Sequence, residues 1–209
     1  MNKKNYYLEL EKIVKNIDLE NPPTLLLHSC CGPCSTSVLD YLTKYFKVTI
    51  LYYNPNILPT EEYYKRLEEQ KKVIDLVDKR FKIDFIEGRY EPREYFDVVK
   101  GLTNLPEGSK RCFNCYELRL RESAKYAKDM GMDYFATTLS VSPYKNAQVI
   151  NELGEKIAEE YGVKHLPNDF KKKDGYKKSV EFSKSWNIYR QDYCGCPFSK
   201  REAEEREKK

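Results

Sequence analysis

The chain is predicted to fold as an α/β domain built on a doubly wound, five-stranded parallel sheet of order 3-2-1-4-5, with a helical C-terminal extension. Two observations predict it: short apolar runs alternate with segments of helical period, and turn or capping residues punctuate the alternation. A third supports it, because a chain of 209 residues, 40% hydrophobic, buries a full core without covalent staples. A single domain over residues 1–209 is expected, divided into an α/β core over 1–166 and a basic helical extension over 167–209.

Taken in order, Tyr7, Leu10, Val14 and Ile17 follow helical spacing and mark an opening helix. Residues 25–27, 48–52, 83–86 and 134–136 read as short buried strands, and 163–166 as a weaker fifth. After a cap at Thr60, Tyr63, Leu67, Ile74 and Val77 form an apolar helical stripe, as do Ile150, Leu153, Ile157 and Tyr161 before the last strand. The chain closes on SKREAEEREKK, a highly charged terminal helix expected to fray. In such sheets ligands bind beyond the carboxyl ends of the strands, where strand order reverses between the first and fourth. The loops HSCCGPC and TTLSVSPYKN directly follow those two strands and are therefore expected to face each other.

Charge is high but balanced, with 37 basic against 33 acidic residues. Residues 164–209 hold 13 of the basic and 8 of the acidic ones, so the extension carries the positive potential. Within it Lys171, Lys172, Lys173, Lys177 and Lys178 lie among Phe170, Tyr176 and Phe182, a mixture that suits phosphate contact with base stacking and equally describes a solvated lysine-rich face. No stretch approaches the length of a membrane span, and the opening MNKKNYYLELEKIVKNI lacks a signal-peptide core, so a cytoplasmic protein without membrane partners is expected.

The seven cysteines fall into three groups: Cys30, Cys31 and Cys34; Cys112 and Cys115; Cys194 and Cys196. In a reducing compartment thiols stay free unless a metal or catalysis uses them, and an odd number cannot pair off completely. The grouping is a metal-site pattern whose distant members the fold must bring together, with all seven sulfurs expected in one crevice at the carboxyl edge. Seven thiols exceed the four that zinc or one cubane uses. A division into four and three, one iron-sulfur cluster and one additional metal ion, employs every one. In extended backbone the side chains of Cys30 and Cys31 diverge and are expected to serve different centres. Pro33 suits a first helical turn, placing Cys34 where the helix dipole favours thiolate. Cys112 and Cys115 share a helix face, and Gly195 lets backbone approach a cluster closely between Cys194 and Cys196. Asp192 is a candidate fourth group for the second site, or a solvated turn residue.

Jointly, HSCCGPCS, NPNILPTEEYYKRL, RCFNCYELRL, ATTLSVSPYKN, DFKKKDGYKKS and YRQDYCGC resemble the cobalamin-independent epoxyqueuosine reductases of the QueH type over most of the chain. The resemblance implies a domain like the adenine-nucleotide alpha-hydrolase group, a [4Fe-4S] cluster with one additional iron ion and no cobalamin. It implies the last step of queuosine biosynthesis: deoxygenation of epoxyqueuosine in the anticodon loop of tRNA, with an external electron donor. That wider group carries a glycine-rich loop for ATP pyrophosphate where this chain has HSCCGPCS, so ATP is not expected.

Turning an epoxide into an alkene takes two electrons, two protons and departure of oxygen as water, which a cluster and a Lewis-acidic iron suit. Tyr116 and His28 are the candidate proton donors, and Asp192 joins them as a candidate site residue. Arg111 and Arg119 are candidates for phosphate or carboxylate contact, and Ser140, Ser142, Tyr144 and Lys145 for a polar substrate loop at the switch point. His165 reads as structural. Two other classes fit parts of the pattern: a thioredoxin-like dithiol oxidoreductase, from Cys31-Gly32-Pro33-Cys34, and a zinc-stabilised RNA-binding protein, from the basic extension.

Overall fold

A computed structural model of the chain describes residues 4–208. The elements run α1 (Tyr6–Lys15), β1 (Thr24–His28), α2 (Gly32–Leu42), β2 (Lys47–Tyr52), α3 (Thr60–Leu76), β3 (Asp84–Glu87), α4 (Pro92–Val98), α5 (Lys110–Asp129), β4 (Tyr134–Thr137), a 3-10 turn (Thr138–Val141), α6 (Ala147–Tyr161), β5 (Lys164–His165), α7 (Gly175–Ser185) and α8 (Pro197–Glu207). All strand pairs are parallel and the order is β3-β2-β1-β4-β5, as the alternation predicts.

Period-two alternation along β1 divides the core between the two faces of the sheet. Leu25 and Leu27 pack with Leu10 and Val14 of α1, Val38, Leu39 and Leu42 of α2, and Val73 of α3. Leu26 points the other way, to Leu120 and Ala124 of α5 and Ile150 and Ile157 of α6. Phe170 and Ile188 of the extension enter the first cluster, so the extension is packed onto the core rather than trailing from it.

Sequence and structure part at several boundaries. Ile17 lies beyond the end of α1, and α3 is entered from Pro59, with Thr60 its first residue rather than its cap. The fifth strand shrinks to two residues, since only Lys164 and His165 find register partners on β4 before Leu166 makes a last hydrogen bond to Phe135 O. Helix α4, seven residues long, is too short to show a periodic stripe and went unanticipated.

His165 is structural, as the sequence suggested, and unusual in its cost. It is buried against Gly154, where an added Cβ would fall 2.5 Å from the imidazole, and neither ring nitrogen has a hydrogen-bond partner among the described residues. Burial holds its pKa down to about 3. The depressed folded value means that the unfolded chain takes up the proton first, so stability is present above the ordinary histidine range and is lost as pH falls. We expect the melting temperature to drop between pH ~6.5 and ~5.5, where few carboxylates titrate, and His165→Gln to remove part of that drop, the remainder belonging to His28, which burial depresses likewise. A melting temperature flat across that first unit would contradict this burial.

Candidate metal centre

Strand β1 delivers its loop to the sheet's carboxyl edge, where Ser29 N still bonds to Leu51 O and the chain then bends into α2. The bend corrects the expectation that Cys30 and Cys31 diverge. Their sulfurs stand 3.8 Å apart, because strand alternation ends at His28 and the side chains turn inward together on the way into the helix. Cys34, in the first turn of α2, completes a triad whose three sulfurs lie within 4.8 Å of one another. Tetrahedral sites with metal–sulfur bonds of about 2.3 Å have sulfurs roughly 3.8 Å apart, so the triad has the size of a mononuclear site. It can hold a metal ion.

Electrostatics single out Cys30 within the triad. Hydrogen bonds from Cys31 and Cys34 hold its thiol well below the usual range, helped by Lys145 and by Thr138, whose hydroxyl is 3.6 Å away. The same thiolate pushes Cys31 up to about 12 and raises Cys34.

The other four cysteines assemble from two elements. The first two turns of α5 supply Cys112 and Cys115, and the loop before α8 supplies Cys194 and Cys196. With Tyr95, Tyr116, Arg111, Arg119 and Asn56 they line a cavity that adjoins the triad's cleft, and Cys194 lines both. All seven cysteines therefore meet at one edge of the sheet, in two adjoining chambers. Backbone N–H groups already point at two of these sulfurs: Gly108 at Cys112 over 3.3 Å and Ser199 at Cys196 over 3.4 Å. Burial pushes Cys115 up to about 12.

The loop bearing Cys194 is held by a residue not anticipated from sequence. Arg66, 1% exposed, extends from α3 and donates to Cys194 O at 3.1 Å and to Glu62 at 2.6 Å, with Tyr193 stacked on its guanidinium at 4.9 Å. Gly195 sits at φ 119°, and a Cβ there would meet Ile57 at 2.9 Å and Arg66 at 3.0 Å, so only glycine passes between them. The signal was legible: Tyr63, Arg66, Leu67, Gln70 and Val73 form the buried stripe of α3, and an arginine and a glutamine in that stripe need buried partners. Gln70 finds one in the Ser29 hydroxyl, 2.5 Å away.

The remaining sequence candidates divide by position. Ser142, Tyr144, Lys145 and Asp192 line the triad's cleft of ≈ 420 Å³, and Tyr116 lines the adjoining chamber. Ser140 does not reach the cleft, because its hydroxyl is spent on Asn168 at 2.5 Å and on Phe170 N at 3.1 Å. His28 is fully buried: Nε2 donates to Tyr53 O at 3.0 Å, which leaves Nδ1 to accept from Thr137 Oγ1 at 2.8 Å, and burial lowers its pKa to about 4. Such a ring braces β1 against its neighbours and faces no cavity. Arg111 is buried and paired with Glu202 of α8 at 2.7 Å, which accounts for its charge without a substrate. Arg119 is also 1% exposed, too deep for phosphate, and its Nη2 has no partner among the described residues.

Comparison with known proteins settles what scaffold this is. The family model for epoxyqueuosine reductase QueH matches residues 25–202, a span that takes in all seven cysteines. The chain belongs to the QueH family. Relatives named epoxyqueuosine reductase QueH include one from Staphylococcus epidermidis, 44% identical over 93% of this chain and 84% of its own, and one from Streptococcus pyogenes serotype M1, 40% identical over 93% and 78%. A third, from Thermotoga maritima, is 41% identical over 88% of this chain and 93% of its own. In this QueH chain no helix among the described residues is long and apolar enough to cross a membrane.

Proposed function

We propose that the chain reduces epoxyqueuosine to queuosine in tRNA, with a [4Fe-4S] cluster on Cys112, Cys115, Cys194 and Cys196 and one further iron on Cys30, Cys31 and Cys34. The observation that carries the reading is the pair of buried cations between the two chambers. Arg119 lies wholly buried with an unpartnered Nη2, beside Cys115, Cys194, Cys30 and Tyr116. Lys145 is buried likewise, facing Cys194, Cys30, Tyr116 and Cys34. A buried, uncompensated cation costs several kcal/mol, and the compensation on this reading is the anionic metal centre that the neighbouring cysteines would hold.

The two groups differ as such centres require. The triad is tight enough for one ion and borders the cleft that Asp192 also lines, which keeps Asp192 the candidate fourth ligand. The quartet does not close to 4.8 Å in any set of three, which suits a cluster that takes thiolates at separate corners. When bound, these centres supply the two electrons and the Lewis acidity that opening an epoxide to an alkene demands.

The chain's own residues do the rest. Lys145, buried beside Cys30 and Cys194, presents its ammonium where negative charge develops on the departing oxygen. Tyr116, its phenol kept protonated chiefly by burial, is a second proton source beside the other chamber. Tyr144 and Tyr176 flank the cleft and are 67% and 37% exposed, so they offer ring faces to a base entering it. The dithiol alternative is disfavoured by Cys31, which at 1% exposure is closed to an outside disulfide.

Anaerobic iron and sulfide analysis tests the proposal: about five irons to four sulfides are expected, and zinc, or iron without sulfide, would overturn it. A second expectation follows from Arg119. Arg119→Gln should lower the midpoint potential of the cluster without loss of iron, since a cation favours the more negative reduced state, and Arg119→Lys should restore much of the shift. An unchanged potential in Arg119→Gln would contradict the electrostatic role.

A further inference from the structure

A second cavity of ≈ 320 Å³ lies on the face of α7 adjacent to that of the sulfur cleft, lined by Tyr41, Asp40, Lys44, Lys172, Lys173 and Lys178, among others. The two cavities share one ridge. Tyr176 and Ser179 of α7 face the sulfur cleft while Gly175 and Lys178 face the second cavity, and Ser37 of α2 bonds to Gly175 O at 2.9 Å to lock the ridge. Helix α2 runs along it from Cys34 in the cleft to Asp40 in the second cavity, six residues or about 9 Å at 1.5 Å each.

The lysines here differ from a solvated face in two ways. Lys44 has Asp40 at 3.3 Å and Lys171 has Asp169 at 3.0 Å, yet Lys172, Lys173 and Lys178 have no carboxylate within 4.0 Å among the described residues. Lys178 lies in the first turn of α7, and the turn that carries Lys172 and Lys173 is held in a defined backbone conformation. Lys173 and Asp174 stand in the left-handed region at φ 50° and 61°, and Gly175 packs so tightly on Phe170 O that a Cβ would fall 1.8 Å from it. Phe170 itself is core, so the stacking role expected of it passes to Tyr176, beneath Arg190 at 5.2 Å, and to Tyr144.

Resting on the reading of the sulfur cleft as the epoxyqueuosine site, we propose that the second cavity takes a backbone phosphate of the same RNA loop, a short step along the strand from the nucleotide in the cleft, on Lys172, Lys173 and Lys178. Three unpaired cations at fixed spacing from an aromatic-flanked cleft are the arrangement that single-stranded RNA requires, and the cleft alone reads a nucleoside, not a strand.

The test is titration of the metal-loaded protein with the tRNA across a salt series. Neutralising Lys172, Lys173 and Lys178 to Gln should weaken binding about tenfold or more and flatten the salt slope by roughly 2, three contacts at about 0.7 each, with iron content unchanged. Neutralising Lys15, Lys128 and Lys164, at the ends of α1 and α5 and the start of β5, should leave the slope where it was. An unchanged slope in the first variant, or an equal loss in the second, overturns the inference while the cleft assignment stands. A wild type that neither binds tRNA nor reduces epoxyqueuosine would sink the cleft assignment itself.

Discussion

Cys34→Ala should leave a brown protein that turns over no epoxyqueuosine, whereas Cys115→Ala should lose both colour and turnover. The difference follows from which chamber each sulfur lines. Cys34 belongs to the triad that closes within 4.8 Å, while Cys115 lies in the adjoining chamber with Cys112, Cys194 and Cys196. On the proposed assignment, removing a triad ligand strips the single ion and leaves the four cluster anchors untouched, whereas removing an anchor exposes and breaks the cluster. The visible spectrum and the iron count of each variant decide the matter, and bleaching by Cys34→Ala would argue for one centre shared by all seven thiols.

The second large effect belongs to Arg66, which touches neither sulfur nor substrate. Arg66→Met keeps the aliphatic stem but leaves the part-buried Glu62 with only the Tyr189 hydroxyl and frees the carbonyl of Cys194. Breaking a buried pair of this kind costs about 3 kcal/mol. Because the lost contacts hold the loop carrying two of the four cluster thiols, the variant should unfold at lower denaturant and also fall short in cluster content when folded. A variant of wild-type stability with full iron would show that the metal, rather than Arg66, holds that loop.

Much of this was legible in the chain. Alternating apolar runs and helical stripes carried the strand order, and the order put the loops after β1 and β4 across one crevice, where Cys30 now lies 3.6 Å from Thr138. The cysteine groups stood out because thiols have few other uses in a reducing compartment. The misreadings share a cause, which is that spacing does not report burial. Arg111 and Arg119, offered for phosphate or carboxylate contact, and Ser140, offered for a polar substrate loop, are buried, one paired with Glu202, one beside cysteines and one tied to Asn168. His28 sits at the end of the right strand, yet both its nitrogens are consumed within the core. The convergence of Cys30 and Cys31 depends on a bend that strand alternation does not encode.

The central claim is that this edge of the sheet deoxygenates epoxyqueuosine, and mass spectrometry of the product tests it most directly. Anaerobically reconstituted protein, given a chemical reductant and tRNA bearing epoxyqueuosine, should release a tRNA whose modified nucleoside is lighter by one oxygen atom and co-elutes with queuosine. Recovery of unaltered epoxyqueuosine from a preparation with full iron and sulfide content would contradict the account.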